Sequence, residues 1–461
     1  MGEARLRGGR IVTDVEEIAT VAALTHDAEG VVREGKAAFV AGALPGERIR
    51  FKRTRRHRQH DEAELLEVLE PSADRVAPKC AHFGVCGGCA LQHLSADAQL
   101  EIKQTELRDN LERVGKVVPR EWLPPLRGPV WNYRRRARLG SKFVTKKDRV
   151  VVGFRERLAP YVAEVQRCEV LAQPVGELIA PLAVMLNGLS IRHRIPQIEA
   201  AVADNVVALV LRVLETPSAD DLEKLRAFAT THSVRFYLQA GGLDSVTPLD
   251  AGAAAGGGPL RYGLPQFDLQ LEFTPTDFVQ INAQINQALV GRAVDLLGLT
   301  PESSVLDLFC GLGNFTLALA RSAGRAVGVE GEKGLVERAR HNASLNSITN
   351  AEFHLADLSK PLDPNLPWLK ESYTHVLLDP PRAGASEVLA SIGRLKPQRV
   401  LYISCHPGSL ARDLGLLVHE HGMSLVAAGV LDMFPHTTHV ESMAILEPGR
   451  KSDNRKGRAA P

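Results

Sequence analysis

The segment Ser304-Val305-Leu306-Asp307-Leu308-Phe309-Cys310-Gly311-Leu312-Gly313-Asn314-Phe315-Thr316 constrains the fold more than any other stretch. A short apolar run enters a glycine-rich turn and leaves it as a helix, the junction at which α/β sheets let backbone approach a ligand closely. Alone, such a turn suits a dinucleotide enzyme equally well. Two strand ends follow at the spacing of a nucleoside-binding βαβ unit. Val327-Gly328-Val329-Glu330 ends in an acid placed to accept ribose hydroxyls, and Ala351 to Ala356 ends at Asp357, which could receive an adenine amino group. Asp307 stands just before the turn, where a pyrophosphate would want donors. A sulfonium donor carrying an amino group suits that acid better. The plainer account of Glu330 and Asp357 is a pair of exposed strand-end acids. Helical and short apolar strand patterns alternate through residues 266–448, which predicts an α/β, Rossmann-like, S-adenosylmethionine-binding domain.

Upstream the pattern changes. Ala37 to Val40, the turn Leu44-Pro45-Gly46-Glu47 and the strand Arg48 to Lys52 read as short strands, with Ile49 and Phe51 on one face and Arg48, Arg50 and Lys52 on the other. This predicts a small OB-like barrel over residues 10–70. It resembles a TRAM RNA-binding module, mainly through Phe39-Val40 and Ala43-Leu44-Pro45-Gly46-Glu47. Residues 71–265 form a central α+β region, with a helix near Ala96 to Val114 and a buried strand at Val206 to Val213. Ala251 to Gly258 reads as a linker, and residues 449–461 as a disordered basic tail.

Arg48 to Arg58 and Arg134 to Arg149 are two basic blocks, the second interrupted only by Asp148. Together they read as the footprint of a polyanion, although either block alone suits a solvated strand face. No apolar run approaches the ~18 residues of a membrane span. Met1 to Arg10 lacks the apolar core of a secretory signal, and six cysteines are too few for a disulfide scaffold. A cytoplasmic protein, monomeric and without an obligate protein partner, is expected.

Two later strand ends carry the chemistry. Val376-Leu377-Leu378-Asp379-Pro380-Pro381-Arg382 sets an acid before a stiff turn, and Val400-Leu401-Tyr402-Ile403-Ser404-Cys405 ends in a thiol. A lone strand-end cysteine is often an inert small hydrophobe. Methylation of a uracil at carbon 5 nevertheless needs a thiolate at carbon 6, an orienting group, and a base for the carbon-5 proton. Cys405, Asp379 and Glu441 meet those needs, with His436 or His439 as organisers of Glu441 or as structural residues. An ordinary thiol is only ~3% ionised at neutral pH, and nothing in the sequence supplies an activator. A further cluster, Cys80-x5-Cys86-x2-Cys89 with Cys168, suits either zinc or an iron–sulfur cluster by spacing.

Phe278-Val279-Gln280-Ile281-Asn282, the Asp307 to Thr316 motif, Asp379 to Arg382, Ser404-Cys405 and His439-Val440-Glu441 together resemble the RNA uracil-C5 methyltransferase family. The likeness extends over nearly the whole chain and is nearest the branch acting on uracil 1939 of 23S ribosomal RNA. It implies cofactor contacts at Gln280, Phe309, Asn314, Glu330, Asp357 and Asp379, nucleophile Cys405, base Glu441, and 23S rRNA as partner. The same chemistry on another rRNA or tRNA uracil stays open. The likeness also implies a [4Fe-4S] cluster on Cys80, Cys86, Cys89 and Cys168 in the central region, and leaves Cys310 as a packed thiol. One departure stands out: His406 follows the nucleophile where the family has Asn.

Overall fold

The computed structural model describes residues 15–250 and 258–449; the N-terminal Met1 to Arg10, the linker apart from Gly258, and the tail beyond Gly449 lie outside the described residues. β1 (Glu16–Leu24), β2 (Glu29–Val32), β3 (Ala38–Ala41), β4 (Arg48–Arg56) and β5 (Asp61–Glu70) close a barrel in the order β1-β2-β3-β5-β4. Strand alternation turns Ile49 and Phe51 into a core with Val21, Val32 and Val40. Arg53 falls on the same inward face. It is held there by Glu17 at 2.7 Å and Asp61 at 3.0 Å.

The basic block on β4 is not a bare cationic face. Antiparallel β5 lays Glu70 3.0 Å from Arg48, Glu67 3.0 Å from Arg50 and Glu62 3.8 Å from Arg55. The second block is also met by acids: Arg135 by Asp204, Arg138 by Glu199, and both Lys147 and Arg149 by Glu164. The polyanion footprint expected from these blocks is therefore much reduced by folding, because the neutralising acids sit on neighbouring strands and loops rather than within the runs.

The described chain divides into two compact units. One runs to Glu101 and takes in Arg155–Tyr161 and Pro435–Thr438; the other holds Ile102–Phe154, Val162–Phe434 and the chain from His439 onward. The cysteine-bearing segment 80–89 thus goes with the barrel, whereas Cys168 belongs to the second unit. Helix α1 (Ala96–Asn110) continues as a wider turn over Leu111–Gly115 and stops where Lys116 turns left-handed.

In the second unit, β6 (Glu121–Trp122) precedes a six-stranded sheet of β7 (Arg136–Val144), β8 (Arg149–Gly153), β9 (Gln197–Val202), β10 (Val207–Arg212), β11 (Val234–Gln239) and β12 (Val246–Pro248), ordered β12-β11-β10-β9-β7-β8. The apolar run at Val207 is an inner strand, which explains why it does not alternate. Helices α2 (Val175–Asn187) and α3 (Ala219–His232) accompany it. The hairpin β13 (Leu260–Leu264) and β14 (Leu269–Phe273) then leads to α4 (Ala283–Leu297), which Asn282 caps by accepting from the Ile285 amide.

The remaining chain alternates as the sequence predicts: β15 (Ser304–Leu308), α5 (Thr316–Ala320), β16 (Arg325–Glu330), α6 (Lys333–Leu345), β17 (Ala351–Leu355), β18 (His375–Leu378), α7 (Ser386–Leu395), β19 (Arg399–Ser404), α8 (Pro407–His419), β20 (Met423–Leu431) and β21 (Glu441–Pro448). The sheet order is β17-β16-β15-β18-β19-β21-β20-β6. β15 to β19 run parallel, and β21 enters antiparallel between β19 and β20. This strand order is that of an S-adenosylmethionine-dependent methyltransferase fold. Among the described residues no helix is long and apolar enough to cross a membrane.

Candidate active site

Parallel strands bring their C-terminal ends to one edge, where ligands bind in open α/β sheets. The first turn there is built from residues with positive φ: Phe309 at 65°, Gly311 at 56° and Gly313 at 94°. A Cβ on Gly311 would meet nothing within 4 Å, so the turn presents open space above its backbone. The Glu330 carboxylate, arriving at the end of β16, accepts from the Gly311 amide at 3.0 Å and from those of Gly331 and Glu332. Asp307 lies beneath the turn. Its Oδ2 accepts from Thr316 Oγ1 at 2.5 Å, while its buried Oδ1 has no partner. Burial, helped by Asp379 and Glu330, pushes its carboxyl up to about 8 despite the Thr316 bond.

The Asn314 side chain exchanges two 3.0 Å hydrogen bonds with Asn286, and its Oδ1 also accepts from the Tyr262 hydroxyl at 3.0 Å. Tyr262, Asn286 and Gln280 line a small cleft with Arg135, Phe273 and Val279. Neither Tyr262 nor Asn286 stands out in the sequence. The spacing of Asn282 and Asn286, one helical turn apart, is the signal that could have found the second. Asp357 takes a different setting. It is exposed, its carboxylate accepts from Ser359 and pairs with Lys360 at 2.6 Å, and those contacts hold it down at about 2.

Asp379 follows β18, and Gln280 Nε2 donates to its Oδ2 at 3.5 Å. Cys405 follows β19, whose register with β21 pairs Ile403 with Met443 and Ser404 with Ser442. Glu441, the first residue of β21, is near enough to Cys405 for its charge to act on the thiol. Because β21 is antiparallel, its first residue reaches the edge where the parallel strands end. Nucleophile, orienting acid and base candidates thus arise from three neighbouring strands.

Their electrostatics are coupled. Burial raises Asp379 to about 7, and burial with Asp379 nearby raises Glu441 well above the carboxylate range. Cys405 is pushed up to about 11 by burial, then by Glu441 and Asp379; Arg382 pulls the other way. The activator missing from the sequence is therefore not a resting environment that favours thiolate. His406 caps α8: its Nδ1 accepts from the Ser409 amide at 3.1 Å, the part an Asn side-chain oxygen would take. This answers the local question raised by that departure, with the imidazole proton on Nε2. His439 packs on the Phe434 ring, centroids 5.4 Å apart, and the His436 amide donates to Gln99. Cys310 is buried, as expected of a packed thiol.

Cys80, Cys86 and Cys89 lie in a turn-rich segment, and Cys168 is buried. Among the described residues no three His, Cys, Asp or Glu side chains are gathered closely enough to hold a metal ion.

Residues 266–448 match the tRNA (Uracil-5-)-methyltransferase family. The chain is 48% identical over 428 residues to the 23S rRNA (uracil(1939)-C(5))-methyltransferase RlmD of Xanthomonas axonopodis pv. citri (strain 306), spanning 92% of this chain and 95% of that one. With the enzyme of the same name from Methylococcus capsulatus (strain ATCC 33009 / NCIMB 11132 / Bath) it shares 47% over 443 residues, 96% and 99% of the two chains. The crystal structure of Pyrococcus abyssi tRNA (uracil-54, C5)-methyltransferase in complex with S-adenosyl-L-homocysteine is similar at a TM-score of 0.69 and 23% identity. That likeness covers 93% of this chain and 100% of the other, and bears on the fold alone. With this much of its length shared with such relatives, the chain belongs to the RlmD family of 23S rRNA (uracil-C5)-methyltransferases.

Proposed function

We propose that this chain methylates carbon 5 of uracil 1939 in 23S rRNA through a covalent bond between Cys405 and carbon 6 of the ring. The observation that supports the chemistry is the nearness of Cys405, Asp379 and Glu441, whose charges act on one another at the ends of neighbouring strands. The relatives' names carry the choice of uracil.

S-adenosylmethionine, when bound, supplies an electrophilic methyl group. The residues fit it: open space over Gly311 and the buried, unpartnered Asp307 Oδ1 beneath the turn. Gln280, Phe309, Asn314, Glu330, Asp357 and Asp379 would hold it. Cys405, once its thiol proton has passed to solvent, adds Sγ to carbon 6 of uracil and pushes the ring electrons onto its carbonyl, so that carbon 5 can bond the methyl carbon as the bond from methyl to the donor sulfur breaks, leaving S-adenosylhomocysteine. Asp379, raised to about 7, can hold a proton and orient the ring by donating it to a uracil oxygen. Glu441 takes the carbon-5 proton. The C5–C6 double bond then re-forms, and the S–C6 electron pair returns to sulfur. Burial makes the Glu441 carboxylate a stronger base than an exposed one.

We also propose a [4Fe-4S] cluster on Cys80, Cys86, Cys89 and Cys168. The donor set is four thiols, which is the ligand set such a cluster would take. The Gly88 amide already donates to Cys86 Sγ at 3.5 Å, the kind of contact that stabilises cluster sulfur. No step of the methyl transfer needs an electron, so the cluster's role lies in folding or RNA placement. Anaerobically purified protein should be brown and Cys86→Ser colourless; an unchanged visible spectrum sinks this assignment.

Mapping 5-methyluridine in 23S rRNA from cells with and without the gene tests the function. Loss at uracil 1939 alone is expected. Loss at another rRNA or tRNA uracil moves the target, and no loss anywhere refutes the reading.

A further inference from the structure

The loop 432–440 delivers Glu441 to the sheet edge, and one face of α1 holds it at two points. Lys103, 1% exposed, donates from Nζ to Asp432 Oδ1 at 2.8 Å and to the Phe434 carbonyl at 2.9 Å. One helical turn earlier, buried Gln99 accepts from the His436 amide at 2.8 Å. Its Nε2 donates to the carbonyls of Leu91 and Leu94, at 3.0 and 2.8 Å. The His436 carbonyl accepts in turn from the amides of Ala90 and Leu91. His436 itself sits at φ 66°, a conformation that a histidine keeps only where its surroundings impose it.

A buried ion pair adds little net stability over an apolar filling of the same shape, so its presence calls for another use. Here the ammonium joins a carboxylate to a loop carbonyl, and the amide of Gln99 ties two turns to the same loop. Both devices fix where a backbone segment goes, and that segment ends in Glu441.

We infer that Gln99 and Lys103 are positioning residues for Glu441, holding loop 432–440 so that the carboxylate meets the proton on carbon 5. The inference rests on Glu441 being the base. Proton removal follows thiol addition and methyl transfer, so a displaced base should leave a methylated covalent adduct unresolved. Loss of the fold would instead lower adduct and turnover together.

The test uses the full chain with a 23S rRNA fragment and S-adenosylmethionine, comparing Gln99→Leu, Lys103→Met combined with Asp432→Asn, and Glu441→Gln. The double change removes the ion pair without leaving a buried charge. Turnover in the α1 variants should fall about tenfold or more. The SDS-stable methylated adduct should rise above the parent level, and calorimetric binding of S-adenosylhomocysteine should stay unchanged. Parallel loss of adduct and turnover, unchanged turnover, or failure to fold would each overturn the inference, since these residues would then serve the fold or nothing. If Glu441→Gln accumulates no adduct, the base assignment itself fails. If it does and the α1 variants do not, only the positioning role fails.

Discussion

Cys405 is a neutral thiol in the resting site, because burial and two nearby carboxyls oppose its ionisation. Below its value of about 11, each pH unit changes the thiolate fraction about tenfold. Alkylation of Cys405 by iodoacetamide should therefore climb from pH 7 to pH 10 without levelling; a plateau below pH 9 would show the thiol to be activated. Cys405 and Asp379 were legible as candidates in the sequence because each follows a recognisable apolar strand, and Glu441 because it is the acid in the later stretch Phe434 to Met443. Their coupling was not. It depends on β21 entering antiparallel, which turns a residue at the start of one strand toward the ends of the others. Tyr262 escaped for a similar reason, since its hydrogen bond to Asn314 joins positions far apart in the chain.

At the scale of the element, the turn after Cys405 depends on how α8 begins. His406 gives its Nδ1 to the Ser409 amide, and Asp413 on the same helix accepts from Tyr402 Oη at 2.6 Å and from the Ala385 amide at 2.7 Å. Those bonds tie the thiol's strand and the segment after Asp379-Pro-Pro-Arg to a single helix. His406→Asn keeps an acceptor at the cap and should stay within about 0.5 kcal/mol of the parent in denaturant unfolding. His406→Ala should lose about 1 kcal/mol. Equal losses would mean that the cap contributes nothing. The alternation of helices and strands after residue 265 was readable from periodicity alone. Neither the wider turn ending α1 nor the capping role of His406 was, since both depend on contacts that α1 and α8 make in three dimensions.

Over the whole molecule, charge is distributed differently from its distribution along the chain. The barrel's arginines face acids on β5 and β1, so the run that looked like an RNA footprint is largely neutralised. If its outer face still meets phosphates, Glu67→Gln with Glu70→Gln should release Arg48 and Arg50 toward RNA. Binding of a 23S rRNA fragment should tighten, and the slope of log affinity against log salt should steepen by about 1 to 2. An unchanged slope would place the RNA elsewhere. The central claim is that the methyl reaches carbon 5 through a Cys405 adduct, with loss of the carbon-5 hydrogen. Tritium release from 23S rRNA labelled at carbon 5 of uridine tests it most directly. The parent should release one tritium per methyl transferred and Cys405→Ala should release none; tritium release with carbon-5 methylation by the alanine variant would contradict the account.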